Sequence, residues 1–443
     1  MTTLQVRLES VAQPVGYLSS NAEGVVSFSY NADWLGDRTA FPISLSLPLR
    51  EQTFGDLPTR AFFRNLLQEN DQLDRVVVRE RIEHDDLVGL LNIVGADCAG
   101  AISCLPLDHA PVKIPGDLAT DYDLLPPEEV DEIIARLANR RALPSHIRDP
   151  SPVAGVQPKL SLVLTPQGHM ALPKPGLAVP TTHILKIPSE REQSHAKLEE
   201  AAAGLARAVG LESAQALAFE RNGRAALLVT RFDRAMIDET RVIRIHQEDF
   251  AQALGLFPAQ KYERDGLENF GFSAKSVETL LGATVSPQEA RQTFVMATFF
   301  NLLIGNTDNH AKNHALLYDE GSYPRFAPLY DLLPIRMFPQ YTDEFAFKIG
   351  NAARAGDLTR EDVLIFLGQL GFRERRAQQF VATELSAMVR ALDEVINGLV
   401  PELRGFADMV SGELHRYNDL LNLGITLRQH DLFVARAGGW LLS

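Results

Sequence analysis

The chain has 443 residues, a length greater than one hydrophobic core normally supports. Of these residues, 45% are hydrophobic and 23% are charged, a composition typical of a folded protein. Its 57 acidic residues exceed the 43 Lys and Arg, and the formal net charge of -14 disfavours autonomous binding to nucleic acids. No segment is long and apolar enough to cross a bilayer and the N-terminus lacks a secretory signal, so we predict a cytoplasmic protein with no membrane partner. Cys98 and Cys104 have the spacing of neither a disulfide framework nor a zinc site, and we expect both to be buried.

The N-terminal region predicts a small β-rich subdomain. Short β-like runs alternate with turns in LQVRL, VGYLSS and VVSFSY. Apolar residues then recur at helical intervals in TRAFFRNLLQEN and RVVVRERI, and GAISCLP follows. Prolines between positions 106 and 127 resist regular structure and indicate a connection.

The middle of the chain has the element order of a kinase small lobe. A helix is predicted for PEEVDEIIARLANR, and RDPSPVAGVQPKLSLVL passes from a loop into a strand. THILKIP is a second strand, KLEEAAAGLARAVGL a long helix, and ALAFE and AALLVTRFD two further strands.

The C-terminal part is predicted to be mostly helical. Ser286 and Glu289 form the pattern of a capping box around Pro287, which opens a helix through TFVMATFFNLLIG. Thr359 and Asp362 form a second capping pair. Together these patterns predict an α+β, two-lobed, protein-kinase-like fold. The predicted parts are a β-rich N-terminal subdomain at 1–110, a small lobe with its Pro-rich connection at 111–235, and a helical C-terminal lobe with the catalytic loop at 236–443.

A short polar stretch carries the pattern of phosphoryl-transfer chemistry, which needs a carboxylate for the acceptor hydroxyl and oxygen ligands for Mg²⁺. In NTDNHAKNHALLY, Asp308 and Asn313 have the Asp-x-x-x-x-Asn spacing of kinase catalytic loops, although no His-Arg precedes the Asp. Asp331, in PLYDLLP, follows where a kinase has its second metal-binding carboxylate. The stretch from Asn306 to Asp331 is therefore the candidate phosphotransfer centre.

A kinase also needs an ammonium group on a small-lobe strand, paired with a helix carboxylate. Lys186 in THILKIP meets the first requirement, and Glu199 in the next helix is its candidate partner. VAGVQPK is positioned as a phosphate-covering loop, but Gly155 is its only glycine and it does not match the Walker A pattern.

The ordered segments resemble the signature segments of the HipA family. They are SPVAGVQPKLSLVL, TTHILKIP, RFDR, HQEDF, NTDNHAKNHALL and PLYDLLP, with FPISLSLPL, FFRNLLQEN and VGADCAGAISCLP in the N-terminal region. The resemblance implies a serine/threonine protein kinase that uses ATP and Mg²⁺ and acts as a toxin. It also implies a helix-turn-helix antitoxin partner like HipB, contact with DNA only through that partner, and a protein substrate such as an aminoacyl-tRNA synthetase.

The same resemblance implies a role for each matching position. Asp308 would be the catalytic base, Asn313 and Asp331 the Mg²⁺ ligands, Lys186 the phosphate-binding lysine supported by Glu199, Thr230 and Phe232 the adenine hinge, Asp233 a residue near the ribose, and Val153, Ala154 and Gly155 the loop over the phosphates.

Regulation is the point where the chain departs from the family pattern. In the family, a loop serine directly before Val-Ala-Gly is autophosphorylated, which silences the enzyme. Here Pro152 occupies that position and Ser151 stands one residue earlier. Ser151 is the autophosphorylation candidate, but proline pushes it toward extended geometry, and the sequence leaves this switch open.

Three other functions compete with the protein kinase. His310 and His314 could share a helix face as in a metallohydrolase, but Ala311 stands where that motif needs a glutamate. A non-catalytic co-repressor scaffold would usually have lost one of the kinase positions. A small-molecule kinase of the aminoglycoside or choline type would have the same arrangement of catalytic-loop residues.

Overall fold

The computed structural model describes residues 2–9, 11–67, 71–144, 147, 157–267, 270–319, 323–399 and 401–428. Helices and sheets are mixed along the chain, so the predicted α+β class is confirmed. The chain divides into two compact units: the first comprises 1–196, 217–258 and 315–325, and the second comprises 197–216, 259–314 and 326–443. The predicted three-part division of the sequence stays a prediction.

The first unit begins with a four-stranded antiparallel sheet in the order β3-β2-β1-β4. Buried and half-buried residues alternate along β3, with Val26, Phe28 and Tyr30 facing the core, as expected for a strand with one covered face. Phe28 contacts the rings of Tyr30, Phe54 and Phe63. The elements of this part are β1 (Thr2–Leu8), β2 (Gly16–Ser20), β3 (Val26–Tyr30), α1 (Ala32–Leu35), α2 (Asp56–Arg64), α3 (Asp71–Glu80), α4 (Leu87–Val94) and β4 (Ile102–Pro106).

A six-stranded sheet follows in the order β10-β11-β9-β7-β8-β6. Its strands and covering helix are β6 (Tyr122–Leu124), α5 (Pro127–Ala138), β7 (Lys159–Leu164), β8 (Met170–Pro173), β9 (His183–Lys186), β10 (Ala216–Arg221) and β11 (Arg224–Thr230). The apolar stripe of α5, which includes Val130, Ile133 and Ile134, shares a core with Leu160 and Leu185 of the sheet. This sheet fixes the strand that carries Lys186.

Shorter elements complete the first unit. They are β5 (Gly116–Asp117), β12 (Arg234–Met236), β13 (Arg241–Arg244), β14 (His246–Asp249), α7 (Phe250–Ala253), β15 (Ala315–Tyr318) and the start of β16 (Arg325–Phe326). A buried polar hub centres on Glu248 of β14. Its carboxylate accepts hydrogen bonds from the Ser44 hydroxyl at 2.5 Å, the Leu45 backbone at 3.0 Å and the Tyr318 hydroxyl at 2.5 Å. These bonds join the loop after the N-terminal sheet to β14 and β15.

The second unit is mostly helical and has an aromatic core. Its elements are most of α6 (Ser194–Ala208), α8 (Ala274–Leu281), α9 (Pro287–Leu303), β17 (Glu344–Ile349), β18 (Ala352–Arg354), α10 (Arg360–Gln369), α11 (Glu374–Phe380), α12 (Ser386–Val395) and α13 (Arg404–Leu421). Phe294 of α9 stacks on Phe347 of β17 with 5.6 Å between ring centroids, and Phe299 contacts Phe366 and Tyr417. Helix α9 is thereby anchored on several sides.

Most of the predicted local patterns are confirmed. The strands β1, β2 and β3, the proline at the start of α9 and the Thr359–Asp362 capping box all form. The capping box predicted at Ser286 is wrong: Ser286 is the N-cap residue, but its side chain makes no capping hydrogen bond. Cys98 and Cys104 are free and buried, as predicted. Within the described ranges, no helix has the length and apolar character needed to cross a membrane.

Candidate active site

Helix α9 delivers the chain to the candidate catalytic loop at residues 306–314. The helix ends at Leu303, and Gly305 takes a left-handed φ of 71° that turns the chain out of it. A Cβ atom at this position would lie 2.9 Å from the Met409 side chain, so glycine suits both the conformation and the packing.

A chain of asparagine hydrogen bonds connects this loop to α9. The Asn301 side chain donates to the Ala297 carbonyl at 2.8 Å and accepts from the Asn306 side-chain amide at 2.8 Å. The side-chain oxygen of Asn306 in turn accepts from the Asp308 backbone N–H at 3.1 Å. Both asparagines are buried, so these bonds also satisfy polar groups that would otherwise cost folding free energy. The position of Asp308 is thus set by a rigid helix.

Asp308 and Asn313 are held together across the loop by a hydrogen bond. The Asn313 side-chain amide donates to the Asp308 backbone carbonyl at 2.7 Å, and residues Ala311–Asn313 form a single 3₁₀ turn. Because the amide nitrogen is used in this way, the side-chain oxygen is the atom of Asn313 with ligand chemistry for a hard cation.

The Asp308 carboxyl group has a perturbed environment. Burial raises its pKa above the ordinary value, a hydrogen bond from the Tyr262 hydroxyl lowers it, and the negative charge of Asp331 raises it again. The Tyr262 hydroxyl lies 2.6 Å from Asp308 Oδ1. A half-buried carboxyl group with a raised pKa, next to a second carboxyl group, is typical of general acid–base sites.

Asp331 has an unusual backbone conformation. Its φ of 58° lies in the left-handed region, which non-glycine residues seldom adopt, and its side chain is exposed. The neighbouring Tyr330 hydroxyl donates to the Lys312 carbonyl at 2.7 Å, which ties this segment to the catalytic loop. The second unit therefore brings Asp308, Asn313 and Asp331 into one locality.

The two histidines of the metallohydrolase alternative do not share a helix face. His314 is 1% exposed, and its ring meets those of Phe272, Phe294 and Phe326. Burial lowers the pKa of both His310 and His314 to about 3. His314 is therefore a neutral core residue in the aromatic cluster, and this contact set argues against the His-based metal centre.

Lys186 and Thr230 lie on neighbouring strands of the six-stranded sheet. In the antiparallel register of β9 and β11, Lys186 pairs with Leu227 and His183 pairs with Thr230. The Thr230 hydroxyl lies 3.2 Å from His183 Nε2, and burial lowers the pKa of His183 to about 4. Phe232 follows β11 and is half-buried. Lys186 and Thr230 thus lie on this strand pair, and Phe232 follows directly after its second strand.

Asp233 lies in a buried ion pair that the sequence did not predict. Its two carboxylate oxygens accept from Arg231 at 3.0 and 2.8 Å, and Arg234 lies 2.8 Å away. Burial opposes ionisation, but the two arginines dominate and hold the pKa of Asp233 well below its usual range. Both oxygens are already engaged, so a contact with a ribose would have to share them. The ribose role stays a prediction.

The remaining predicted residues belong to two groups. Glu199 lies in α6 and is buried, whereas its neighbour Glu200 is half-buried. The two glutamates therefore differ in burial, a difference that the sequence alone does not reveal. The phosphate-loop residues Val153, Ala154 and Gly155 and the candidate Ser151 lie outside the described residues.

Tyr262 was missed by the sequence reasoning. It is 46 positions from Asp308 and belongs to no phosphotransfer motif, so spacing carries no signal for it. The run Lys261, Tyr262, Glu263 and Arg264 does place an aromatic ring between two cations, and Arg264 lies 4.0 Å above that ring. This run indicates a cation–π pair, but it carries no signal for the contact between Tyr262 and Asp308.

Comparison with known proteins identifies the family. A family model described as the HipA-like C-terminal domain matches residues 151–396, which is more than half of the chain, and one described as the HipA N-terminal domain matches residues 4–105. The chain belongs to the HipA family. The resemblance in the ordered sequence segments is thereby confirmed. All of the predicted site residues fall inside the C-terminal HipA match.

Relatives of the HipA family match almost the whole length of the chain. The protein Y4mE of Sinorhizobium fredii, whose name proposes a kinase, is 34% identical over 408 residues, which cover 90% of this chain and 94% of the relative. The serine/threonine-protein kinase toxin HipA of Shewanella oneidensis is 29% identical over 417 residues, covering 90% of each protein.

A solved structure also matches. The complex of Shewanella oneidensis HipA, HipB and operator DNA contains a chain that is 26% identical, with a TM-score of 0.77 and coverage of 96% of this chain and 100% of that one. The fold is accordingly the kinase-like α+β fold of HipA proteins. The relatives support kinase activity as the general class of reaction.

Proposed function

We propose that this protein is an ATP- and Mg²⁺-dependent serine/threonine protein kinase that acts as the toxin of a HipA/HipB-type module. The observation that carries the proposal is the Asp308 carboxylate. It is half-buried, is fixed by the asparagine chain from α9, has a raised pKa, and shares its loop with Asn313 and its locality with Asp331. A carboxylate in such surroundings is suited to orient an acceptor hydroxyl and to accept its proton.

The donor set fits the proposed cofactor. The Asn313 side-chain oxygen and the exposed Asp331 carboxylate are hard oxygen ligands of the kind that Mg²⁺ prefers when it is also bound to phosphates. When bound, Mg²⁺ would neutralise charge on the transferring phosphoryl group. The left-handed backbone of Asp331 carries local strain, which is a common feature of functional positions.

For the nucleotide we propose the residues on the six-stranded sheet and in α6. Lys186 would bind phosphates with Glu199 as its partner, and Thr230 and Phe232 would contact adenine. Asp233 would lie near the ribose, and Val153, Ala154 and Gly155 would cover the phosphates. Ser151, which Pro152 separates from Val153, is the proposed autophosphorylation site.

The partners follow from family membership. The solved HipA, HipB and operator DNA complex supports a HipB-like helix-turn-helix antitoxin as the partner, with DNA contacted through it. The net charge of -14 agrees with this indirect route to DNA. We further propose a cytoplasmic location and a protein substrate, with an aminoacyl-tRNA synthetase as the first candidate. Phosphorylation of such an enzyme would arrest translation.

The decisive experiment is transfer of labelled γ-phosphate by the full chain, to itself or to a lysate protein. Asp308→Asn keeps the size of the side chain and should lower transfer at least a hundredfold, since general-base groups contribute roughly 10²–10⁴-fold. Asp357→Asn, an exposed aspartate of the same unit, is the matched control and should retain wild-type transfer. Equal activity of Asp308→Asn and the control would refute the assignment.

The alternatives separate in the same assay. A co-repressor scaffold predicts thermal stabilisation by nucleotide without any transfer. A small-molecule kinase predicts transfer only to an added aminoglycoside or choline-like acceptor. A metallohydrolase predicts that His314→Ala abolishes activity, whereas the kinase predicts that it retains phosphotransfer. His314 fills an aromatic cluster, and its loss would leave a cavity that destabilises the protein. Phosphotransfer by that variant must therefore be compared per folded molecule.

A further inference from the structure

Tyr262 makes the hydrogen bond that orients the candidate catalytic carboxylate. Its hydroxyl donates to Asp308 Oδ1 at 2.6 Å, a short bond of the kind formed with a charged acceptor. Oδ1 is thus engaged by the tyrosine, and Oδ2 is the oxygen offered to an acceptor hydroxyl. The bond links two segments of the second unit that are 46 residues apart.

The Tyr262 ring is itself held on several sides. It packs edge-on against the His310 ring with 5.2 Å between centroids, and the Arg264 guanidinium lies 4.0 Å above its face. The neighbouring Lys261 carbonyl accepts from the Ala311 backbone N–H at 3.0 Å, which joins the tyrosine segment to the catalytic loop a second time. The hydroxyl therefore meets Asp308 from a fixed direction.

We infer that Tyr262 is a positioning residue of the phosphotransfer site, holding the Asp308 carboxylate with one oxygen bound and the other turned to the acceptor hydroxyl. The inference rests on the proposed kinase function. It does not make Tyr262 a phosphate acceptor, because its hydroxyl already donates a hydrogen bond to the Asp308 carboxylate.

The test compares Tyr262→Phe with Tyr330→Phe. The first variant keeps the ring that packs on His310 and removes only the hydroxyl. The second removes a hydroxyl that contacts the same loop at the Lys312 carbonyl, 2.7 Å away, rather than at the Asp308 carboxylate. In Tyr262→Phe we expect kcat to fall about tenfold at an unchanged KM for ATP, which is the loss of one hydrogen bond to a charged group. In Tyr330→Phe we expect kcat to fall less than in Tyr262→Phe.

A second readout does not need activity. In the full chain with ¹³C-labelled aspartate, Asp308→Asn identifies the Asp308 carboxyl signal, and its chemical shift at one fixed pH reports the hydrogen bond from Tyr262. Tyr262→Phe should move that signal and Tyr330→Phe should leave it in place. An unmoved signal together with an unchanged kcat in Tyr262→Phe would overturn the inference, and so would mass-spectrometric detection of phosphate on Tyr262 after incubation with ATP. A wild-type protein that transfers no phosphate would instead overturn the proposed function, while the carboxyl signal would still decide whether the hydrogen bond exists.

Discussion

Glu248→Gln tests how burial controls protonation inside the first unit. Glu248 is 0% exposed, and its carboxylate accepts from the Ser44 hydroxyl, the Leu45 backbone and the Tyr318 hydroxyl. Burial raises its pKa from the ordinary 4.5 to about 7, and the three hydrogen bonds only partly oppose this shift. Gln has nearly the shape of the protonated acid and carries no charge at any pH.

The sign of the effect follows from proton linkage. Because the pKa is higher in the folded state, the folded protein binds the proton more tightly than the unfolded chain does. The resulting stabilisation is fully present below pH 4.5 and is lost as the pH rises through about 7. A shift from 4.5 to about 7, at roughly 1.4 kcal/mol per pH unit, corresponds to about 3.5 kcal/mol of unfolding free energy.

Other groups also contribute to the pH dependence in this range. Burial lowers the pKa of His246 from its ordinary 6.5 to about 4, so its contribution to stability changes between these values, whereas the pKa values of Tyr30 and Tyr318 are raised above 10. These contributions are common to wild type and Glu248→Gln and cancel in the difference between the two proteins, which therefore reports Glu248.

The assay is urea unfolding of wild type and Glu248→Gln at pH 5, 6, 7 and 8. The unfolding free energy of the variant relative to wild type should increase by about 2.5 kcal/mol from the lowest to the highest pH, because part of the transition lies below pH 5. Glu239→Gln, an exposed glutamate of the same unit, is the control and should give a difference that hardly changes with pH. Parallel pH curves for Glu248→Gln and wild type would refute the reasoning.

Three further substitutions probe the second unit. Asp331→Asn keeps a residue that tolerates the left-handed backbone but removes the charge, so we expect thermal stabilisation by ATP with Mg²⁺ to disappear while the melting temperature without nucleotide stays within a few degrees of wild type. Thr359→Ala removes the side-chain half of the capping box with Asp362, and chemical denaturation should report a loss of about 1 kcal/mol. Phe294→Ala opens a cavity between His314 and Phe347, and the same measurement should report a loss of roughly 3–5 kcal/mol.

The elements and the loop were predictable because they depend on neighbours in sequence. The Thr359 box and the proline at the start of α9 are encoded within four residues, and Asp308 and Asn313 are five positions apart in one loop. The Ser286 pattern has the same letters as a capping box, yet its side chain does not form the bond, because the pattern specifies residue types and not the torsion angles that bring them together. Local spacing therefore predicted where elements begin better than which capping bonds they form.

Long-range contacts could not be predicted from spacing. Ser44 and Glu248 are 204 positions apart, and nothing in FPISLSLPL or HQEDF indicates that the hydroxyl of one segment meets the carboxylate of the other. Tyr262 and Asp308 are a second such pair. The sequence could single out Asp308 as the candidate base, but the Tyr262 hydroxyl that bonds to it becomes visible only when the chain is folded.

Three carboxyl groups in this protein show why the residue type alone does not determine charge. Asp233 is buried between Arg231 and Arg234, and its pKa is lowered because the positive charges outweigh the loss of hydration. Glu248 is equally buried, but only neutral donors surround it, and its pKa rises to about 7. Asp308 stands between these cases, since burial raises its pKa and the Tyr262 hydroxyl and nearby cations restrain the rise. Of the three carboxyl groups, only that of Asp308 shares its locality with the side chains of Asn313 and Asp331, and this combination is the basis for proposing it as the proton acceptor.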